Sequence, residues 1–494
     1  MAALCLCLNL PARADVNPPS LGFVDPSTAV DLSGEVTLEN CVAQALARNF
    51  TVRVQQFSVL QSVDAVVIQK AVFEPTLGFN ANRQEVRQAA DDTVPGTIPY
   101  TSTDTGTFTL NDNLITGGTV SANYGLERGY FQPAYTEPDP AFGSTASVTV
   151  TQPLLYGAGT DYSRAAIENA RLGVTISNLN FKSAVLTMIL NVETTYYNLL
   201  FQRGQYKVQQ EELKQAQQLL DENKKRREAG IQTDLDVMNA EAGVAAAQNL
   251  VILDQQAVQN SEDALLQLLG DRRFTTTVGN ISFPYVGEPD VSFDRSYKLA
   301  RDDGPNLAIA QAMIDQLKLT ALKAKRDKLP TLNLNGGLGY NSYAATAGQS
   351  FTGPWSGYNW TAGVTLSVPW GLDAGRAAYR QAIAGVRSQE VTYDQVDQQL
   401  VVGVRAAIRA VQTSIASVRS SAENTKFAQK AYELTKAQFD AGLATSYLVL
   451  QSQNTLETAR VSELQAKVNL LSAIANLRFL EGSSLPLYRI NLPE

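Results

Sequence analysis

The sequence predicts an α+β chain made mostly of long α-helical coiled-coil hairpins, with two structural repeats. Three observations predict it. Helical periodicity runs almost unbroken from about 161 to 227 and from about 376 to 440. Strand-type alternation fills 75–153 and 331–370, between helices. The order of these segments occurs twice, and residues repeat with it. "TASVTVTQP" (145–153) aligns without gaps on "TAGVTLSVP" (361–369), and the same offset of 216 puts "RAAIENAR" (164–171) on "RQAIAGVR" (380–387). A period above 200 residues is too long for a solenoid and marks a duplicated half-protein.

Taken in order, "MAALCLCLNLPARA" is a short apolar run ending in small residues around Arg13, so 1–14 reads as the remnant of a signal peptide. It lacks the usual basic start, which fits a Met1 internal to a longer signal. Its removal takes Cys5 and Cys7 and leaves Cys41 without an intrachain partner. Residues 15–35 form an N-terminal linker. Repeat 1 is expected at 36–270. It begins with a short helix capped by Thr37 and a second helix stopping at Pro75, then strands within 75–153. A long helix, a turn at 228–236 and a helix ended by Gly270 complete it. A linker (271–293) leads to repeat 2 at 294–482, with strands within 331–370 and a turn at 440–448. A C-terminal tail covers 483–494.

A helix of about 67 residues would be about 100 Å long. The two shorter helices of each half, stacked end to end, would nearly match it, giving a long helical wall. Val192, Leu199, Tyr206, Leu213 and Leu220 step by seven. So do Val404, Val411, Val418, Thr425, Tyr432 and Phe439 in the other half, and Val244, Val251, Val258 and Leu265 after the first break. Sustained heptads predict coiled-coil packing between neighbours. No run of 18 consecutive apolar residues occurs, so no transmembrane helix is predicted. Alternating strands can still cross a membrane as a closed barrel.

The strand region of the first half is about 79 residues against about 40 in the second. "LNDNLITGGTVSANYGLERG" reads as an extra hairpin turning at Thr116-Gly117-Gly118. It could lengthen strands, decorate the surface or add strands. Two principal strands per half are expected. All three tryptophans, Trp355, Trp360 and Trp370, fall in the second strand region. That suits an interfacial girdle as well as ordinary strand enrichment.

Composition narrows the chemistry. The chain of 494 residues has no histidine, which removes the commonest general base and metal ligand. A net charge of −8 argues against a nucleic-acid surface. "YGAGTD" and "GLDAG" lack the lysine of a phosphate loop and read as strand-to-helix bends. Neither catalytic residues nor cofactor or metal ligands are predicted, and the chain is not read as an enzyme.

The breaks "EAGIQTDLDV" and "DAGLATSYLV" remain. Gly230 and Gly442 suit the left-handed residue past a helix end, and Thr233 or Asp234 can cap the helix that follows. "ENKKRREAG" puts four basic residues before the first break. This is either a steering patch or a solvated helix end complementing its dipole.

With its duplicated halves, the leading "VTLENCVAQALARN", the "TVTQPLLYGAG" junction and the two breaks, the chain resembles the TolC family of outer-membrane efflux and secretion channels over about 36–482. The resemblance implies a homotrimer in outer-membrane lipid, each chain giving four strands to a shared transmembrane β-barrel and two helical hairpins to a periplasmic tunnel. It implies an outer-membrane channel-tunnel of a tripartite efflux pump or type I secretion system. Substrates would be driven by an inner-membrane pump or ABC transporter through a periplasmic adaptor (membrane fusion) protein. The adaptor-facing tip would comprise Gly230, Ile231, Thr233, Gly442, Leu443 and Thr445, with Asp234, Asp236 and Phe439 as gate candidates. Asp236 matches the acidic residue that the family uses in closing bonds. Ala444 stands where some members have arginine, and Leu448 and Gln451 where they have acids. A carboxylate ring at that level is therefore in doubt. Asp234 and Asp236 either supply a ring from the first half or serve as a cap and a solvated side chain. The runner-up is a periplasmic coiled-coil adaptor or scaffold. It would share the long hairpins but not strand regions within a duplicated half.

Overall fold

A computed structural model describes residues 34–87, 100–132, 141–271, 278–284, 291–352, 357–490 and 492. The signal-peptide segment, nearly all of the 15–35 linker and Trp355 lie outside the described residues. The elements run β1 (Glu35–Val36), α1 (Leu38–Arg48), α2 (Phe50–Ala71), β2 (Thr76–Arg87), β3 (Tyr100–Asn113), β4 (Thr119–Gln132), β5 (Ala141–Pro153), α3 (Thr160–Glu228) and α4 (Asp234–Leu268). The second half follows with β6 (Asn280–Ile281), α5 (Phe293–Asp302), α6 (Pro305–Asp327), β7 (Thr331–Ala344), α7 (Ala347–Thr352), β8 (Gly357–Ser367), α8 (Asp373–Asp440), α9 (Ser446–Glu481) and α10 (Ser484–Leu487). The chain divides into two compact units.

One unit (61–176 and 310–392) contains a single six-stranded antiparallel sheet in the order β2-β3-β4-β5-β7-β8. Period-two alternation gives it two unlike faces. The register puts Leu77, Leu110, Ala122, Val148, Leu338 and Trp360 in one row across all six strands. The next row reads Phe79, Phe108, Tyr124, Ala146, Tyr340 and Tyr358. Most of these side chains are exposed, although they are apolar. The opposite face carries residues such as Asn80, Thr107, Asn123, Ser147, Gly339 and Asn359. Toward the far end of the apolar face, Asp104 lies between Arg83 (3.7 Å) and Arg128 (3.8 Å), a row of charge beyond the aromatic row.

Two strands per half were expected, and among the described residues the second strand region has two. The first has four, because the 100–132 hairpin pairs with its neighbours along its whole length instead of decorating the surface. Its alternation matches theirs, so both faces continue through it without a break. The hairpin turns at 114–118 as its sequence predicts, the Leu114 amide donating to the Gly118 carbonyl at 2.7 Å. Gly117 adopts φ 86°, and a Cβ there would meet the Gly157 carbonyl at 2.3 Å, so the position excludes a side chain.

Four helical segments join the sheet. α2 leads into β2, α3 follows β5, α6 leads into β7 and α8 follows β8. α6 touches both of its neighbours. Tyr162 of α3 donates to Asp327 at 2.7 Å, and the Lys328 ammonium just past α6 lies 4.4 Å from the ring centre of Tyr379 on α8.

The other unit (1–60, 177–309 and 393–494) is helical. Val192 and Leu199 are fully buried, as are Val404, Val411 and Phe439. Tyr206, Leu213, Leu220, Val418, Thr425 and Tyr432 are half-buried, so the heptads of the long helices pack throughout. In α4 the expected heptad is fully buried at Leu265 and half-buried at Val244, Val251 and Val258, and a second stripe, Ala240, Ala247, Asp254 and Ser261, also seven apart, is buried along its whole length. Small residues there let neighbouring helices approach closely, and Gly243 lies against Leu450. α8 includes a stretch apolar enough by composition to cross a membrane, although no such helix was expected. Its Val404, Ala407, Ile408 and Val411 form a packed cluster with Ile474 and Leu477 of α9.

The parallel pair β1–β6 aligns Val36 with Ile281. Tyr196 donates its hydroxyl to the Val36 and Ser282 carbonyls at 3.1 Å each. Arg203 donates to the Val278 and Gly279 carbonyls at 2.6 Å each while paired with Glu262, pinning this segment to the helices. Cys41 is buried and free, and burial pushes its thiol up to about 12.

Candidate functional site at the paired helix breaks

Both breaks are built alike. α3 ends with Gly230 at φ 73° and α8 with Gly442 at φ 74°. The Ile231 amide donates back to the Arg226 carbonyl and the Gly230 amide to Arg227, at 2.8 and 2.9 Å. Leu443 and Gly442 repeat the pattern on Gln438 and Phe439 at the same two distances. These double bonds satisfy the last helical carbonyls and need a left-handed residue at the glycine. Thr233 and Thr445 cap the helices that follow, accepting from the Asp236 and Leu448 amides.

The two breaks then diverge. Asp236 completes a capping box by accepting from the Thr233 amide (3.1 Å) and hydroxyl (2.7 Å). Leu448 holds the matching place in the second break and cannot do so. The other oxygen of Asp236 accepts from the Ser446 hydroxyl at 3.0 Å, joining the first break to the second. The hydrogen bonds from Thr233, then that from Ser446, hold the Asp236 carboxyl below the usual carboxylate range. Asp234 does not cap its helix; it is exposed and pairs with Arg227 at 3.5 Å.

A second tie runs through the basic stretch. Arg226 donates to the Phe439 carbonyl at 2.8 Å and pairs with Asp440 at 3.5 Å. Its guanidinium lies 4.1 Å from the centre of the Phe439 ring. Phe439 is only 1% exposed and packs with Leu219 and Val449 under this arginine. Arg226 and Ser446 have no local signal of their importance, because their partners lie 213 and 210 residues away. At the outside of the turns Ile231 is 70% exposed and Leu443 82%, with Leu235, Met238 and Tyr447 also exposed. These apolar side chains form an exposed patch at the two turns.

A two-faced sheet, long helices and tied helix breaks are features that suit the class of outer-membrane channel proteins. The family profile described as outer membrane efflux protein matches residues 41–271 and 296–483. The chain belongs to that family and to the outer membrane, and the family's activity is transport. The chain is 26% identical to the pyoverdine export outer membrane protein OpmQ of Pseudomonas putida, over 63% of this chain and 66% of that one. It is 25% identical to the outer membrane protein TolC of Vibrio cholerae, over 60% and 68%. Each match thus spans about two thirds of the relative's length. Among solved structures, the outer-membrane channel OprN matches with a TM-score of 0.70 at 17% identity, over 90% of this chain and 89% of that one.

Proposed function

We propose that this chain works as the outer-membrane channel-tunnel of an efflux pump or type I secretion system, assembled as a trimer. The carrying observation is the two-faced sheet, whose outer edges on β2 and β8 have no strand partner among the described residues. Open edges are not tolerated in lipid, so copies must join to close a barrel. Its apolar face would meet lipid, with an aromatic row and a charged row at one border, and its Thr/Asn/Ser/Gly face would line a wet lumen.

The paired breaks are the periplasmic tip in this reading. The Asp236–Ser446 and Arg226–Phe439 ties hold the two hairpins of one chain together and favour a narrow resting opening. Ile231 and Leu443 offer apolar contact to an adaptor. Without a carboxylate at Leu448 or Gln451, any acidic ring comes from Asp234 and Asp236. Conduction is passive, and energy comes from the inner-membrane transporter.

Single-channel conductance of detergent-extracted protein, with oligomer mass measured on the same sample, tests this. Discrete long-lived steps from a three-chain species are expected. A monomer that never inserts would overturn it.

A further inference from the structure

We infer that the barrel has eighteen strands, six from each of three copies, with the β2 edge of one chain paired to the β8 edge of the next. The inference rests on the trimeric channel reading and goes beyond the four strands per chain implied by resemblance. It is drawn from the added hairpin β3–β4.

First, the hairpin carries the membrane pattern and not that of a loop. The aromatic row Phe79, Phe108, Tyr124, Tyr340, Tyr358 passes through it, with the Phe79 and Phe108 rings 4.7 Å apart. The charged row Arg83, Asp104, Arg128 passes through it as well. β3 and β4 have 14 residues each, enough to span a bilayer as tilted strands.

Second, the widths agree. Four helices packed about 9 Å apart occupy about 36 Å of wall. Six strands spaced about 4.8 Å and tilted about 40° occupy about 37 Å, and four would occupy only about 25 Å. Six strands therefore match the four helical segments that feed this sheet.

Third, the hairpin turn is seated at the junction with the helices. Its turn lies beside a hollow of about 760 Å³ bordered by Phe73 at the end of α2, Asn113, Gly117, Tyr162 and Lys323. Asn113 ties the turn to α2 by donating to the Val72 carbonyl at 2.9 Å.

Fourth, the edges are compatible. An even strand count runs β2 and β8 antiparallel, as the rest of the sheet requires. Both edges keep the same alternation, with Leu77 and Phe79 on the apolar face of one and Val364 and Leu366 on that of the other. A barrel of eighteen strands would be about 1.5 times as wide as one of twelve, because diameter grows roughly linearly with strand number.

The test uses full-length protein in phosphatidylcholine vesicles, with Cys5, Cys7 and Cys41 each replaced by alanine and single introduced cysteines carrying a fluorescent label. Labels at Phe108→Cys and Leu126→Cys, both exposed on the apolar face, should be quenched several-fold more by nitroxide lipid than by iodide, and labels at Thr107→Cys and Asn123→Cys the reverse. In parallel, Asn80→Cys is combined in turn with Asn359→Cys, Thr361→Cys and Gly363→Cys and oxidised. One of these registers should give a covalent ladder ending at three chains. Iodide quenching at all four labels, or no ladder while trimeric conductance persists, would each overturn the eighteen-strand barrel and leave the channel reading standing. Loss of conductance with a monomeric mass in the unsubstituted protein would instead overturn the channel reading.

Discussion

Ser446 donates its hydroxyl to Asp236 at 3.0 Å, so the first residue of α9 is tied to the first turn of α4, 210 residues earlier. Asp236 also completes the capping box of α4, so one carboxylate fixes a helix start and a contact between the two breaks. Replacing it with alanine removes both. The capping part alone is worth about 1 kcal/mol. Asp236→Ala should shorten closed dwell times and raise resting conductance in bilayer recordings. Unchanged conductance and ion selectivity would sink a gating role.

The same carboxylate sets a pH window. Its folded pKa lies below the ordinary value of 3.8, so its contribution is fully present above that value and is lost as pH falls through the lowered one. Resting conductance should therefore show no Asp236-dependent change between about pH 7 and 5 and should rise only below about pH 4. Wild-type and Asp236→Asn channels compared across that range give the check.

Arg226 makes a charge-assisted bond to a backbone carbonyl and covers an aromatic ring. Arg226→Ala should loosen the tie by on the order of 2 kcal/mol. Arg226→Lys should recover only part of this, since lysine keeps the charge but not the planar stacking. Closed-state lifetimes of the three proteins should fall in the order wild type, lysine, alanine.

Gly230 and Gly442 have open space around them, with nothing within 4 Å of an added Cβ. Alanine at either place therefore costs only the left-handed backbone, about 1 kcal/mol. Gly270 combines φ 71° with the Arg48 carbonyl 2.8 Å from an added Cβ. Gly270→Ala should lower the thermal midpoint more than either tip substitution. Equal shifts at all three positions would contradict the geometry.

Burial, with Glu457 nearby, pushes the Glu212 carboxyl up to about 7. A raised acid binds its proton more tightly in the folded state, so stability falls as pH rises from about 4.5 to 7 and is level above that. Glu212→Gln should stabilise the protein at pH 8, by on the order of 1 kcal/mol, and be close to neutral near pH 4. Thermal unfolding at the two pH values measures the difference.

Local sequence carried much of this architecture. Glycine after an alanine at the end of a long helical pattern located both breaks, because the left-handed cap is a property of a few neighbouring residues. The heptads located the packed faces of α3 and α8 for the same reason. What stayed hidden is non-local. "ENKKRREAG" reads as a solvated or steering run, and nothing in it shows that Arg226 alone turns inward onto Phe439. The alternation in "GTFTLNDN" and "GTVSANYGLE" shows strands, but a strand's pattern does not name its neighbours. Only the register with β2 and β5 places that hairpin inside the sheet. Asp254 and Ser261 could not be foreseen in a buried stripe of α4. Their burial depends on partners such as Gln205 and Asn198 on another helix.

The pairing of β5 with β7 matches Phe142 to Ala344 and, at the other end, Pro153 to Asn333. It has a consequence for how the chain acquires its structure. Each long helix and its hairpin partner are neighbours in sequence and can form as soon as they emerge. The strands β2 to β5 must wait until roughly two hundred residues more have been made before β7 arrives to cover the edge of β5. Such distant pairings are slow. Until they form, a four-stranded apolar surface stands exposed to aggregation. Delivery of this chain to its membrane therefore calls for a companion that shields strand edges during that interval.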